Sequence, residues 1–358
     1  MGIRFDRDTK KATNGPVIFF SDPSSEMAFS EEVRGAIISG LSFYSYRLPG
    51  DLMISFGSSE GYLEGIGIPG FVIGRFDPEQ PFITIPYKGV RSSSEVDKGY
   101  IMPSISTTER EYCDEVVEIQ NVLTETKAHK IVAARVLVKN SALDIANKFF
   151  DFCRRFPDDY IFCFSTPETG CWIGASPELI LEGRNGLLKT MALAGTRRKD
   201  SSEPWDLKNI EEQQIVTDYI CEKFTESGLK PQTEERFTKV TGAIEHLCTP
   251  ISSVVNSFST SDLASLLSNL SPTPALCGTP KEEALKTIFR IEKFSRGCYG
   301  GFCGPFHSVN DFTFNVVLRC ASVSEQRYCI YAGGGITLRS NPADEWEETE
   351  IKILNSWG

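Results

Sequence analysis

The stretch YCIYAGGGITLRSNPADEWEETEIKILNSWG, residues 328–358, decides how this chain is read. Its opening residues are apolar and β-prone, and its second half carries a helix start. Asn341 is a good N-cap, Pro342 suits the first helical position, and Asp344 and Glu345 place acid where the helix dipole favours it. Between strand and helix stands the run Gly333-Gly334-Gly335, which reads as a bare turn whose N–H groups can approach an anion closely. At helical spacing Glu345, Glu348 and Lys352 share one face, whereas Glu347 and Glu350 point elsewhere. A buried strand leading through glycines into an acidic helix suggests a site for an anion and a metal. The plainer alternative, a solvated helix face with i to i+4 ion pairs, stays open on these residues alone.

Outward from this stretch, helical patterns recur at 109–127, 141–155, 205–226, 261–269, 280–291 and 342–355. Strand-like runs recur at 52–57, 71–75, 131–139, 160–165, 187–194, 312–323 and 327–332. The mixture is not a strict alternation, so the pattern predicts an α+β fold with a mainly antiparallel sheet core and helices packed outside it. No repeat, heptad or long Pro/Gly/Ser linker divides the chain. Residues 1–358 are therefore read as one large domain. Within it, residues 1–105 form a divergent N-terminal part that adds strands to the same core, and 106–358 carry the informative motifs.

Composition narrows the class. A chain of 358 residues with 41% hydrophobic content can bury a sizeable core. It has no run of eighteen apolar residues and no small-residue cleavage signal near its start, so membrane insertion and secretion are not expected. The 11 cysteines include no CxxC pair and many sit in apolar runs, which reads as reduced core thiols in a cytoplasm. With 48 acidic against 37 basic residues the net charge is −11, which disfavours nucleic acid and anionic membranes as partners. A small anionic substrate then needs a locally positive pocket or a metal.

Further segments carry chemistry. In Lys130-Ile-Val-Ala-Ala-Arg135, period-2 alternation puts Lys130 on the face of Val132 and Ala134. It either snorkels from a strand end or, desolvated, serves as a general base. Glu178 opens the apolar run after Trp172-Ile-Gly-Ala-Ser-Pro; a carboxyl among apolar neighbours stays protonated and can act as a general acid, whereas a strand-edge glutamate in solvent cannot. Met191-Ala-Leu-Ala-Gly-Thr196-Arg-Arg198 reads as a strand entering a polar, basic turn, either a lid hinge or a surface loop. On the helix from Ile210, Glu212 has Ile215, Val216 and Tyr219 on its face and points inward, so with Glu348 it is a candidate Mg²⁺ ligand. Arg319 is the one charge in the apolar run Phe314–Val323 and should meet an anion, either a structural carboxylate or a substrate one.

Taken in order, KIVAAR, GASPE, ALAGTRR, the acidic residue of EEQQIV, EHL, PTPALCGTP, RGCYGG, VVLRCA, YAGGGI and PADEWEET resemble the chorismate-utilising enzymes, and among them the isochorismate synthases. The resemblance is dense from Lys130 to Lys352 and thin before that. It implies that Lys130 activates a water to attack C2 of chorismate while Glu178 protonates the departing C4 hydroxyl, giving isochorismate reversibly. It also implies Mg²⁺ on Glu212, Glu345 and Glu348, and a substrate held by Thr196, His246, Ala275, Arg319, Gly333 and Lys352. The implied protein is a cytoplasmic monomer serving menaquinone or siderophore biosynthesis, two routes that begin with the same step. Relatives usually carry histidine where this chain has Gln213 and Ser271, which implies altered packing or hydrogen bonding rather than lost chemistry. The alternatives are a salicylate synthase, which also eliminates pyruvate, and an anthranilate or aminodeoxychorismate synthase. The ammonia-using enzymes commonly carry glutamine in place of Lys130. A chorismate-binding pseudoenzyme is a further alternative.

Overall fold

The computed structural model describes residues 17–19, 24–87, 99–199, 201 and 203–358. The helices are α1 (Ser24–Ile38), α2 (Glu109–Glu125), α3 (Ile145–Arg155), α4 (Leu207–Glu226), α5 (Thr260–Leu270), α6 (Lys281–Ile291) and α7 (Pro342–Trp357). The strands begin with β1 (Val17–Phe19), β2 (Ser42–Arg47), β3 (Met53–Ser59), β4 (Leu63–Glu64), β5 (Gly70–Gly74), β6 (Ile83–Pro86), β7 (Lys130–Lys139), β8 (Tyr160–Thr166), β9 (Gly170–Ser176) and β10 (Leu179–Arg184). They continue with β11 (Leu187–Arg198), β12 (Gln232–Thr233), β13 (Phe237–Thr241), β14 (Ile244–Val254), β15 (Gly278–Thr279), β16 (Phe302–Ser308), β17 (Asp311–Val316), β18 (Cys320–Val323) and β19 (Tyr328–Ile336).

Local chemistry sets the helix starts. Thr108 and Glu111 form a capping box for α2, Ser259 and Asp262 form one for α5, and Asp144 and Asp206 cap α3 and α4. Asn341 accepts from the N–H groups of Ala343 and Asp344 and starts α7 with Pro342 behind it. Each of the six sequence-predicted helices is present, with ends that differ by a few residues. Helix α1 is an addition whose Phe29, Val33 and Ala36 make only a narrow apolar stripe at i, i+4 and i+7.

The strands form two antiparallel sheets packed face to face. One has the order β1-β3-β2-β8-β9-β18-β19-β7-β15, the other β12-β14-β11-β10-β17-β16-β5-β6-β4, with β13 beside β14. Tyr44, Phe71, Phe162, Phe164, Trp172, Phe302 and Phe314 fill the space between them. Outside the first sheet, α1 and α3 pack through Phe29, Phe149 and Phe150 onto Phe43 and Phe56, while α2 and α6 cover β7 through Val116, Ile119 and Ile288. Helix α4 lies on β11 and β14, and α7 lies on β19. This is the α+β arrangement the sequence predicts. No helix among the described residues is long and apolar enough to cross a membrane.

Three local expectations are corrected. Gly333–Gly335 do not form a turn: they lie inside β19, paired with Ala134, Ala133 and Val132 of β7. The run 312–323 is not one strand, because β17 belongs to the second sheet and β18 to the first. The chain crosses between them at Leu318-Arg319, where Arg319 takes the left-handed φ of 44°. The segment ending at Arg198 is neither lid hinge nor loop. It is the end of β11, whose pairing with β14 slips between Ala194 and Arg197 around Gly195, at φ 75°.

Phe29 touches the rings of Phe56, Phe149 and Phe150, with the Phe149 centroid 4.8 Å away. Phe29→Ala is expected to cost about 3–5 kcal/mol. If α1 is part of the same cooperative unit as the sheets, the urea transition moves as a whole; a separate early transition by fluorescence and far-UV circular dichroism would place α1 outside it.

Candidate active site

The three corrected elements meet at one cavity. Its walls come from the β9–β10 turn, the bulge of β11, β14, the crossing at Arg319, the glycines of β19 and the inner faces of α4 and α7. Glu178, Thr196, Glu212, His246, Ala275, Arg319, Gly333, Glu348 and Lys352 all line it. Lys130 and Glu345 are not lining residues: Lys130 donates to the lining Glu212, and Glu345 packs against Gly334.

Lys130 begins β7 and is fully buried, and its Nζ donates to Glu212 Oε1 at 2.6 Å. It is therefore neither a snorkelling strand-end lysine nor a lone desolvated one, since it enters the interior with a carboxylate partner. The glycines make room for this pair. A Cβ on Gly335 would stand 2.4 Å from Lys130 Cε and 2.7 Å from Glu212 Oε1, and one on Gly334 would stand 2.9 Å from Glu345 Oε2. Gly334 and Gly335 are bare because charged side chains occupy the volume that their own side chains would need, and at Gly333 that volume is taken by the Ala133 carbonyl and the Tyr299 hydroxyl.

Glu178 is 2% exposed in the turn between β9 and β10. Burial pushes its carboxyl up to about 8, against the Thr273 hydroxyl, which donates to Oε1 at 3.3 Å, and the charge of Lys130. A solvated strand-edge glutamate is excluded, and near neutral pH the group carries a proton it can give away.

On the opposite side, His246 Nδ1 lies 2.8 Å from the Gly195 carbonyl oxygen, which can only accept, so Nδ1 holds the ring proton. Arg319 Nη2, which can only donate, faces Nε2 at 3.3 Å. Burial and the Arg319 charge push the His246 pKa down to about 3, so the imidazole is neutral. Arg319 Nη1 in turn reaches the buried Asp159 Oδ2 at 2.9 Å. The anion that Arg319 was expected to meet is thus a structural carboxylate, while its other edge looks into the cavity.

Each carboxylate expected to bind metal is held by its own lysine. Besides Lys130–Glu212, Lys208 meets Glu345 Oε1 at 2.7 Å, and Lys352 meets Glu348 Oε1 at 2.7 Å while donating to the Gly333 carbonyl at 2.8 Å. Burial works against the charge on Glu212, yet Lys130, Lys208 and Lys352 outweigh it and hold the carboxyl below its usual value. Burial, with Glu348 nearby, raises Glu345 against the pull of Lys208. As they stand, no three acidic, histidine or cysteine side chains among the described residues are placed to hold a metal ion together. The donor set still suits one. It is all oxygen and spans two helices, and Glu345 is 2% exposed with an Oε2 that accepts no well-formed hydrogen bond, only a weak pull from Ser340. A hard, oxygen-seeking divalent ion is the match.

The two positions that depart from the usual histidines differ in outcome. Gln213 is fully buried and satisfied, its Nε2 donating to Thr249 Oγ1 at 2.8 Å and its Oε1 accepting from Arg236 at 3.1 Å. Ser271 Oγ, at the end of α5, has no partner among the described residues. All eleven cysteines are free, as their apolar settings suggested. Sequence reasoning missed Lys208, Asp159 and Thr273. Only Lys208 left a local sign, a cation in the first turn of a helix, where the dipole disfavours it.

Comparison with known proteins shows the family and the fold. The family model described as "Chorismate binding enzyme" matches residues 87–355. The isochorismate synthase EntC of Escherichia coli is 28% identical over 314 residues, 79% of this chain and 79% of that protein. The isochorismate synthase MenF of Pasteurella multocida is 28% identical over 382 residues, 98% of this chain and 84% of that protein. Among solved structures, the menaquinone-specific isochorismate synthase MenF of Escherichia coli superposes with a TM-score of 0.73 at 20% identity, covering 88% of this chain and 87% of that one. Anthranilate synthase component I of Streptococcus pneumoniae superposes with a TM-score of 0.64 at 16% identity, covering 99% and 82%. At these identities the two structures establish the fold alone.

A protonated Glu178 has a spectroscopic signature. The infrared carboxylic C=O band of the wild type is expected to contain a buried component that fades as pH rises through about 8 and is missing from Glu178→Gln. A band component present only below pH 5 would place an ordinary ionised carboxylate there.

Proposed function

We propose that this chain, which belongs to the chorismate binding enzymes, is an isochorismate synthase. The observation that carries the reading is a buried protonated carboxyl, Glu178, in the wall of a cavity whose lining Glu212 accepts a hydrogen bond from the buried amine of Lys130. One is a proton donor and the other, once neutral, a proton acceptor, which is the division of labour that adding and expelling water requires.

In the proposed reaction Lys130 takes a proton from a water as its oxygen bonds to C2 of chorismate. The ring double bonds migrate, the C4–O bond breaks, and Glu178 gives its proton to the departing hydroxyl, which leaves as water. The reverse reaction exchanges the two roles. Arg319 and Lys352 present cationic edges to the substrate carboxylates, and the neutral His246 keeps Arg319 aimed by accepting from Nη2. Glu212, Glu345 and Glu348 would hold Mg²⁺, which when bound supplies a fixed double charge that binds and orients a substrate carboxylate. A lysine at position 130, where ammonia-using relatives commonly carry glutamine, favours water as the nucleophile.

The test is incubation of the purified protein with chorismate and Mg²⁺, with and without EDTA or ammonium, and chromatography of the products. Isochorismate in equilibrium with chorismate, lost with EDTA, is the expected result. Salicylate with pyruvate, an aminated product, or no turnover would each replace the reading. Lys130→Ala and Glu178→Gln are expected to lower kcat by about 10²–10⁴-fold. Because Glu178 acts in its protonated form, kcat/KM of the wild type should fall as pH rises above about 8.

A further inference from the structure

The three lysines that hold the acidic cluster are not equivalent. Lys130 is sealed in the interior, and Lys352 is tied to the Gly333 carbonyl as well as to Glu348. Both also belong to the proposed substrate machinery. Lys208 differs on each count. The hydrogen bond it makes among the described residues is to Glu345, and its side chain keeps 30% exposure, so it has a way out to solvent. It stands in the first turn of α4, where the helix dipole opposes a cation, so the N-terminus of the helix does not account for it. What holds it is the acid facing it. Glu345 is the most buried carboxylate of the cluster, and Lys208 feels the charges of Glu348 and Glu212 as well. Left alone, Glu345 would be an uncompensated buried charge.

We propose that Lys208 is a tethered counter-cation of the carboxylate cluster, in place on Glu345 while no divalent ion is bound and displaced toward solvent when one binds. The inference rests on the divalent-ion site of the proposed function. An ammonium 2.7 Å from Glu345 Oε1 occupies the approach that a divalent ion would take to that oxygen, and two cations cannot share it without strong repulsion. Lys208 thus keeps the empty cluster neutral and folded, and it weakens the cluster's affinity for the ion by the cost of its own displacement.

The experiment uses metal-free protein without substrate, titrated with Mn²⁺ and followed by the electron paramagnetic resonance signal of the free ion. Lys208→Met, which keeps the aliphatic stem, is expected to bind Mn²⁺ about tenfold more tightly than the wild type, with a lower melting temperature before metal is added. Arg339→Met removes an equal charge from an exposed partner of Glu211 and should leave the affinity within about twofold, which separates displacement from a general change in charge. Unchanged or weaker Mn²⁺ binding by Lys208→Met, beside a wild type that binds the ion, overturns the role of Lys208 alone. A wild type that binds no Mn²⁺ overturns the metal site of the proposed function with it. Amine acetylation of the wild type, mapped by mass spectrometry, keeps the proposal testable should the variant fail to fold. Labelling of Lys208 should rise when Mg²⁺ saturates the protein, and labelling that stays constant overturns displacement.

Discussion

A cavity walled by the interior faces of two sheets cannot hold an unbalanced charge, and that constraint organises the site. The ion pairs Lys130–Glu212, Lys208–Glu345, Lys352–Glu348 and Arg319–Asp159 each set one cation against one anion at 2.6–2.9 Å. Desolvating any member alone would cost several kcal/mol, so a chain that needs these groups inside has to bring all of them in together. The exception is Glu178, which has no cation in hydrogen-bond contact among the described residues and meets the constraint by keeping its proton. The same balance therefore sets Glu178, which keeps its proton, apart from the four carboxyls that each face a cation.

The fold supplies the volume for these pairs by leaving out side chains. Helices α4 and α7 project their charged faces toward β19, where three consecutive glycines leave the sheet flat. Any residue but glycine at 335 would press on both Lys130 and Glu212. Two further irregularities aim the polar atoms of the opposite wall. The slip in β11 turns the Gly195 carbonyl toward His246, and the left-handed turn at Arg319 lets its guanidinium reach both Asp159 and the cavity as the chain passes from one sheet to the other. These two departures from ideal backbone geometry re-aim side chains in the wall of the site, while the ladder between β7 and β19 stays in register.

What the sequence made legible follows from how local the cause is. The start of α7 at Asn341 was readable because that cap is satisfied within three residues of itself. Strand β2 was not, because all six of its residues are buried on both faces and period-2 alternation vanishes. Glycines 333–335 were misread for a related reason. The sequence records that a side chain is missing, while the reason lies in Lys130 and Glu212, which reach this strand from other elements. The inward face of Glu212, and the face that Glu345 shares with Glu348 and Lys352, were visible from helical spacing. Their partners were visible only in part, since Lys208 and Glu345 stand 137 positions apart and Asp159 and Arg319 stand 160 apart. No spacing rule links such pairs.

The pairing of Arg319 with Asp159 bears on how a dianionic substrate would enter. Paired with Asp159, Arg319 offers direction more than net charge, and the three lysine–glutamate pairs balance in the same way. The cavity as it stands is close to electroneutral inside a protein of net charge −11, so long-range attraction for a dianion is weak. A divalent ion on Glu212, Glu345 and Glu348, entering as Lys208 moves out, would tip the pocket to a net positive charge facing such a substrate. On this reading the lysines leave the decision to the ion. The cluster is neutral and stable when empty, and it becomes a strong anion site only once loaded.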